Sequence, residues 1–207
     1  MKWNDHRKFE GSHAFLSASK CGWLNKTDEE LIEAYTNSFS QSIGTMMHAY
    51  AADAIRFCEK LRKSDANGAK FDLMRRGIPE YAIDIQSIFP TVMRYVNDSI
   101  GLNMDPEILL FYSDMCYGTA DAIQASGDHL QIHDLKTGVT PAKIDQLKVY
   151  AGLFFLEYDR KPERMRTQLR IYQCDDVVIY EPEPEELREV MDGIVSKDRA
   201  LQKLKEV

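Results

Sequence analysis

The sequence has no apolar run of the roughly 18 residues that a membrane-spanning helix needs. Its first thirteen residues, MKWNDHRKFEGSH, are polar and lack the apolar stretch of a secretory leader. Cysteine pairs are missing as well. Cys21, Cys58, Cys116 and Cys174 stand singly with no CxxC, which argues against a zinc site and leaves them as expected free thiols in a cytoplasmic protein. There is no glycine-rich phosphate loop of the P-loop kind, no internal repeat and no low-complexity tract. Positive charge is in short supply: 26 Lys and Arg face 33 Asp and Glu, a formal net charge of −7. That argues against a protein whose whole surface grips nucleic acid. A local basic stripe remains sufficient for binding, and acids gathered to hold a cation add to the negative total.

What is present fits one domain. A chain of 207 residues with 44% hydrophobic and 29% charged side chains can bury one sizeable core, while two full domains would be cramped. The expected layout is a helical part over residues 1–104, a sheet core over 105–182 and a C-terminal helix over 184–207. Residues 12–24 read as an ordered segment in which Ser17 or Ser19 caps a short helix. Residues 28–42 look polar and partly helical. A helix is expected from near Gly44 to about Arg62, because Met47, Tyr50, Ala51, Ile55, Cys58 and Leu61 recur at steps of three and four. Residues 64–70 contain Asn67-Gly68 and read as a loop. A second long helix follows Pro79, with Tyr81, Ile85, Ile88, Val92, Tyr95 and Val96 as its buried stripe and Gly101 at its end. Strands are expected over 107–112, 117–124 and 130–136, close enough together to form an antiparallel meander. A helix over 142–158, a hairpin over 166–173 and 177–181 turning at Asp175-Asp176, and the tail helix complete the pattern. The fold class is α/β or α+β: a central mixed sheet flanked by helices.

The chemistry concentrates in Asp134-Leu135-Lys136. On a strand, Asp134 and Lys136 share a face and Leu135 points into the core. An acid beside an ammonium group can hold a divalent cation, orient water and steady charge building on a phosphate. A hard cation needs further oxygens, and Asp121 lies on the preceding strand, across the Ser126-Gly127-Asp128 turn. The acid-x-Lys pattern alone is weak, since Asp159–Lys161 repeats it in a turn. Gly-x-x-Asp, hairpin, Asp-x-Lys-x-Gly and then a helix with Gln-x-x-x-Tyr is a far rarer order.

These segments resemble a known family. GTADAI (118–123), IHDLKTG (132–138) and QLKVYAGLF (146–154) are similar to the core of the PD-(D/E)XK nuclease superfamily, in its RecB-like branch of phage exonucleases and CRISPR-adaptation nucleases. SIGTMMHAYA (42–51) resembles that branch's Gly-x-x-x-His segment, and LSAS (16–19) its N-terminal segment. The resemblance spans residues 16–154 and implies a restriction-endonuclease-like core. It implies that His48, Asp121, Asp134 and the Leu135 carbonyl hold one or two Mg²⁺ or Mn²⁺ ions, and that Lys136 positions the attacking water. Gln146 and Tyr150 would line the cleft and touch the DNA strand. Glu107 could approach the same cation, although Asp105-Pro106-Glu107 also reads as the end of a loop. Some relatives hold an iron–sulfur cluster with one early and three late cysteines. Only Cys174 lies late here, so no cluster is expected and the resemblance is to a cluster-free phage type.

The implied function is a metal-dependent DNA nuclease, an exonuclease by analogy, acting in recombination, repair or phage DNA processing within a bacterial or phage-infected cell. Its partner is single- or double-stranded DNA, with no membrane; a homo-oligomer or a recombination partner is left open. Lys143, Lys148, Arg160, Lys161, Arg164, Arg166 and Arg170 are candidates for a basic rim that touches phosphates. The bland counterparts stay on the table: a core histidine for His48, a core tyrosine for Tyr150, an exposed Gln146 and a solvated face for the basic group. The main competing function is an inactive nuclease-fold protein that binds DNA or aids assembly.

Overall fold

The computed structural model describes residues 5–205. The start of the polar N-terminus and the last two residues of the tail helix expected to reach Val207 lie outside the described residues. Helix α1 (Asp28–Asn37) opens on a capping box: the Glu30 N–H donates to the Thr27 hydroxyl, and the Thr27 N–H donates to the Glu30 carboxylate. Helix α2 (Ser40–Arg56) buries Ile43, Met47, Ala51 and Ile55 along one stripe. It stops short of the expected Arg62 because Cys58 takes a left-handed φ of 55° and turns the chain out of the helix. Leu61 is still buried, but from the connecting segment.

Two differences from expectation follow in the helical part. Residues expected as a loop form helix α3 (Ala66–Arg75), with Ala66, Ala69 and Leu73 buried on one side and Asn67 and Gly68 left in solvent. Burial of that stripe outweighs the poor helix propensity of Asn-Gly. The next helix, α4 (Ile85–Gly101), begins after Tyr81 rather than including it. The Asp84 side chain accepts the Ser87 N–H and caps it, leaving Tyr81 exposed in a short turn. Around residues 18–25 the chain makes 3-10 turns after Ser17, whose side chain makes no capping bond.

The five strands are β1 (Asp105–Ser113), β2 (Cys116–Ser126), β3 (His129–Lys136), β4 (Arg166–Gln173) and β5 (Asp176–Tyr180), paired in that order across the sheet. The first three form the antiparallel meander, β4 runs parallel to β3, and β5 returns antiparallel. Helix α5 (Asp145–Glu157) is the crossover that the parallel pair requires. The protein is α+β, a mixed sheet between two helical layers. Helices α2, α3 and α4 cover one face through Met47, Val92, Tyr95 and Leu135. Helices α5 and α6 (Pro184–Lys205) cover the other through Leu147, Phe155, Ile132 and Leu187. All four cysteines are free, and no helix among the described residues is long and apolar enough to cross a membrane.

Candidate metal centre

The alternation of β2 breaks at Asp121. Ala120 packs into the layer around α5, whereas Ala122 packs into the opposite layer around α4, where strict alternation would keep both on one side. The β2–β3 ladder ends at the same place, with Ala122 opposite His133. One step further in that register Asp121 stands opposite Asp134. There the Asp121 Oδ2 accepts the Leu135 N–H at 2.8 Å, so a side chain replaces a rung of the ladder.

The neighbouring strand kinks in step. Pro106 pairs with Ala122 and Ile108 with Ala120, which sets Glu107 opposite Asp121. Glu107 has φ of +56°, a left-handed conformation inside a strand that a non-glycine residue seldom adopts. From the layer above, His48 of α2 brings its Nδ1 within 3.4 Å of Asp121 Oδ1. Gly44, one turn earlier, lets the helix approach that closely: a Cβ there would sit 3.0 Å from Thr137 Oγ1 at the end of β3. One donor atom each from His48, Glu107 and Asp121 lie within 4.8 Å of one another. Opposite ligands of a single Mg²⁺ are about 4.2 Å apart, so modest closure would bring this trio onto one hard cation.

Asp134 is placed differently from the expected ligand set. Among the described residues it falls outside that trio, is 2% exposed, and is held by Lys136. The Lys136 ammonium is 2.9 Å from both carboxylate oxygens, yet only Oδ1 meets hydrogen-bond geometry; Oδ2 is buried without a hydrogen-bond partner. A buried orphan oxygen beside three further donors is what a cation-binding pocket would be expected to show. Burial, and then the charge of Asp121, push the Asp134 carboxyl up to about 6, with Lys136 pulling the other way. Burial opposes the His48 cation, but its hydrogen bond to Asp121 and the charges of Asp121, Asp134 and Glu107 outweigh that and raise the imidazole above its ordinary value. Glu107 is raised by desolvation and by Asp121, although it stays open to solvent. The charge of Asp121 thus acts on both neighbouring acids.

From β3 the site continues to α5. Lys136 also donates to Gln146 Oε1 at 3.1 Å, and Gln146 Nε2 donates to the Tyr150 hydroxyl at 3.1 Å. Tyr150 is seated against Gly118, where a Cβ would lie 2.9 Å from Tyr150 Cε1. Leu135 is fully buried in the core below. A cleft of about 650 Å³ opens over the trio and is also lined by Arg56 and Thr119. Neither of these was singled out from the sequence. The available signal for Arg56 was its place eight residues after His48, two helical turns along the same face.

Among the described residues that line this cleft, none belongs to the expected basic rim. Arg166 pairs with His129 at the opposite end of β3 from Lys136, and with Arg164 it lines a separate cleft beside Glu163 and Glu181. Arg166 is bound to Glu181 at 3.0 Å, and Lys148 is bound to Glu186 and lies over the Tyr180 ring. Parallel pairing of β3 with β4 carries Arg164 and Arg166 about 20 Å from the cluster.

The model of a family described as a protein of unknown function (DUF2800) matches residues 13–202. No curated protein matches the chain.

Proposed function

The chain belongs to the DUF2800 family, and from the geometry of its cleft we propose that it is a Mg²⁺- or Mn²⁺-dependent deoxyribonuclease of the PD-(D/E)XK, RecB-like kind. The observation that carries this reading is the convergence of His48, Glu107 and Asp121 within 4.8 Å beside the buried Asp134–Lys136 pair. The carboxylates suit Mg²⁺ and Mn²⁺, and the imidazole moves the set toward the softer Mn²⁺. The cation would be held by His48, Glu107 and Asp121, and Asp134 would add a further carboxylate oxygen. It would supply a Lewis acid that screens phosphate charge and acidifies water.

The protein's own groups account for the rest. The Leu135 N–H fixes the Asp121 carboxylate. Lys136 has three N–H donors; Asp134 and Gln146 take two, and the third remains to hold a phosphate oxygen or a water. Gln146 and Tyr150 extend this polar edge along α5 and would contact the DNA strand.

The test is cleavage of linear and closed circular DNA with Mg²⁺, Mn²⁺ or EDTA, using wild type, Lys136→Ala and Asp121→Asn. Metal-dependent cleavage should fall on the order of a hundredfold or more in either variant. Attack confined to linear DNA supports an exonuclease, because only an endonuclease opens a closed circle. Cleavage that persists in EDTA, or is indifferent to Lys136→Ala, overturns the reading. DNA binding with no cleavage in any preparation selects the inactive scaffold instead.

A further inference from the structure

The β1–β2 ribbon has one face packed and one face open. Ile108, Leu110 and Ala120 join the layer around α5, and Gly118 abuts Tyr150 of that helix. The residues alternating with them, Leu109, Phe111, Tyr117 and Thr119, therefore point the other way. Thr119 lines the cleft beside Glu107 and Asp121. Two residues along the same face, Tyr117 stands opposite Phe111, their rings inclined by 20° with centroids 6.2 Å apart. Phe111 is 41%, Leu109 53% and Tyr117 60% exposed. A cross-strand aromatic pair steadies a hairpin modestly, but that role does not call for so much apolar surface in water. A contiguous row of this kind marks a contact surface rather than scattered exposure.

Charge narrows what the row contacts. The chain carries a net −7, and among the described residues the cleft is lined by one arginine, Arg56, which is bonded to Asp53 at 2.6 Å, beside His48, Glu107 and Asp121. Duplex binding draws on many cation–phosphate contacts, which this face does not offer. A single strand also makes phosphate contacts, but its unpaired bases can stack on aromatic rings with little regard for sequence, an attraction that a paired duplex cannot use. The rings lie four residues along the strands from Glu107 and Asp121, about 13 Å, a distance that a short stretch of extended strand spans.

We propose that Phe111 and Tyr117 form a base-stacking platform for a single-stranded nucleic acid whose backbone passes Thr119 and Arg56 toward the His48–Glu107–Asp121 cluster. The substrate class is then unpaired strands or frayed ends rather than intact duplex. The inference rests on the nuclease reading for where the strand leads, and its test does not depend on cleavage.

The experiment is fluorescence anisotropy in EDTA with a labelled oligothymidylate and a blunt duplex of equal length. It compares wild type with the Phe111→Ala/Tyr117→Ala and Phe111→Leu/Tyr117→Leu double variants; the leucine pair keeps apolar cover on the hairpin if the alanine pair unfolds. Wild type should prefer the single strand. Both variants should lose on the order of tenfold in single-strand affinity with duplex affinity unchanged. Undiminished single-strand binding in the leucine variant overturns the platform, as does an equal loss on duplex or the absence of single-strand binding by wild type. Variants that only break up a wild-type oligomer, with oligonucleotide affinity intact, give the face to a second copy and also overturn it. Metal-dependent cleavage by wild type with unchanged variant affinity retains the nuclease and removes the platform. Ring-dependent binding without cleavage does the reverse.

Discussion

Two adjacent residues under the cleft titrate in opposite directions, and their balance is measurable. His133 is fully buried, and burial, with Arg170 adding to it, holds the imidazole down to about 3 from an ordinary 6.5. Below about 6.5 the unfolded chain takes a proton that folded His133 refuses, so its contribution to stability is lost as the pH falls toward 3. Asp134 has the other sign. Its folded carboxyl is held up to about 6 against an ordinary 3.8, so its contribution is present at low pH and lost as the pH rises through 6. Between about 4 and 6 the two slopes cancel, and stability of the metal-free protein should be nearly flat with pH. Asp134→Asn removes one side of the balance. Urea unfolding in EDTA should show the variant more stable than wild type by about 1–3 kcal/mol at pH 7.5. Its stability should then fall by about 1.4 kcal/mol per pH unit on acidification from 6 to 4. A variant no more stable than wild type at neutral pH would show that Asp134 is not strained by its neighbours. A buried carboxylate that is costly to the fold and stands beside Asp121 and Lys136 is what a functional group looks like.

Strand β1 holds its own strain at Glu107. A left-handed non-glycine residue costs about 1–2 kcal/mol, and the Glu107 φ of +56° has no turn to explain it. Glu107→Gly should therefore be more stable than Glu107→Ala by about 1 kcal/mol in thermal or urea unfolding, although both lose the carboxylate. Equal stabilities would mean that the backbone there is relaxed. Helix α2 illustrates how local signals and contacts combine. Its stripe is evident from Met47, Ala51 and Ile55, and so is the Gly44–His48 spacing, but only the 3.0 Å limit set by Thr137 explains why glycine stands at the first of these positions. Helix α3 was hidden because its evidence is burial of Ala66, Ala69 and Leu73 against α4, a partner remote from Asn67-Gly68 in sequence.

For the whole molecule, the trio couples two layers: His48 comes from a helix above the sheet, Glu107 and Asp121 from the strands. A cation bound there ties these layers together in the folded state alone, so it should stabilise the protein by mass action. Mn²⁺ should raise the melting temperature of wild type more than Mg²⁺ does, since imidazole favours the softer ion. His48→Ala should remove most of that difference, as read by thermal denaturation against metal concentration. A Mn²⁺ shift that survives in both His48→Ala and Asp121→Asn would place the cation elsewhere. The sequence by itself determined the meander of β1 to β3, the mixed sheet flanked by helices and the neighbourhood of Asp121, Asp134 and Lys136, though not helix α3, because periodicity and short hairpins are local properties of the chain. Tertiary structure alone decided that β4 lies parallel to β3, which sends Arg164 and Arg166 to the far end of the sheet. It also decided that Glu107 joins His48 and Asp121 within 4.8 Å while Asp134 stays outside that group. Those outcomes depend on which strands become neighbours and on paired kinks in two strands, and distances of that kind arise only when segments far apart in sequence pack together.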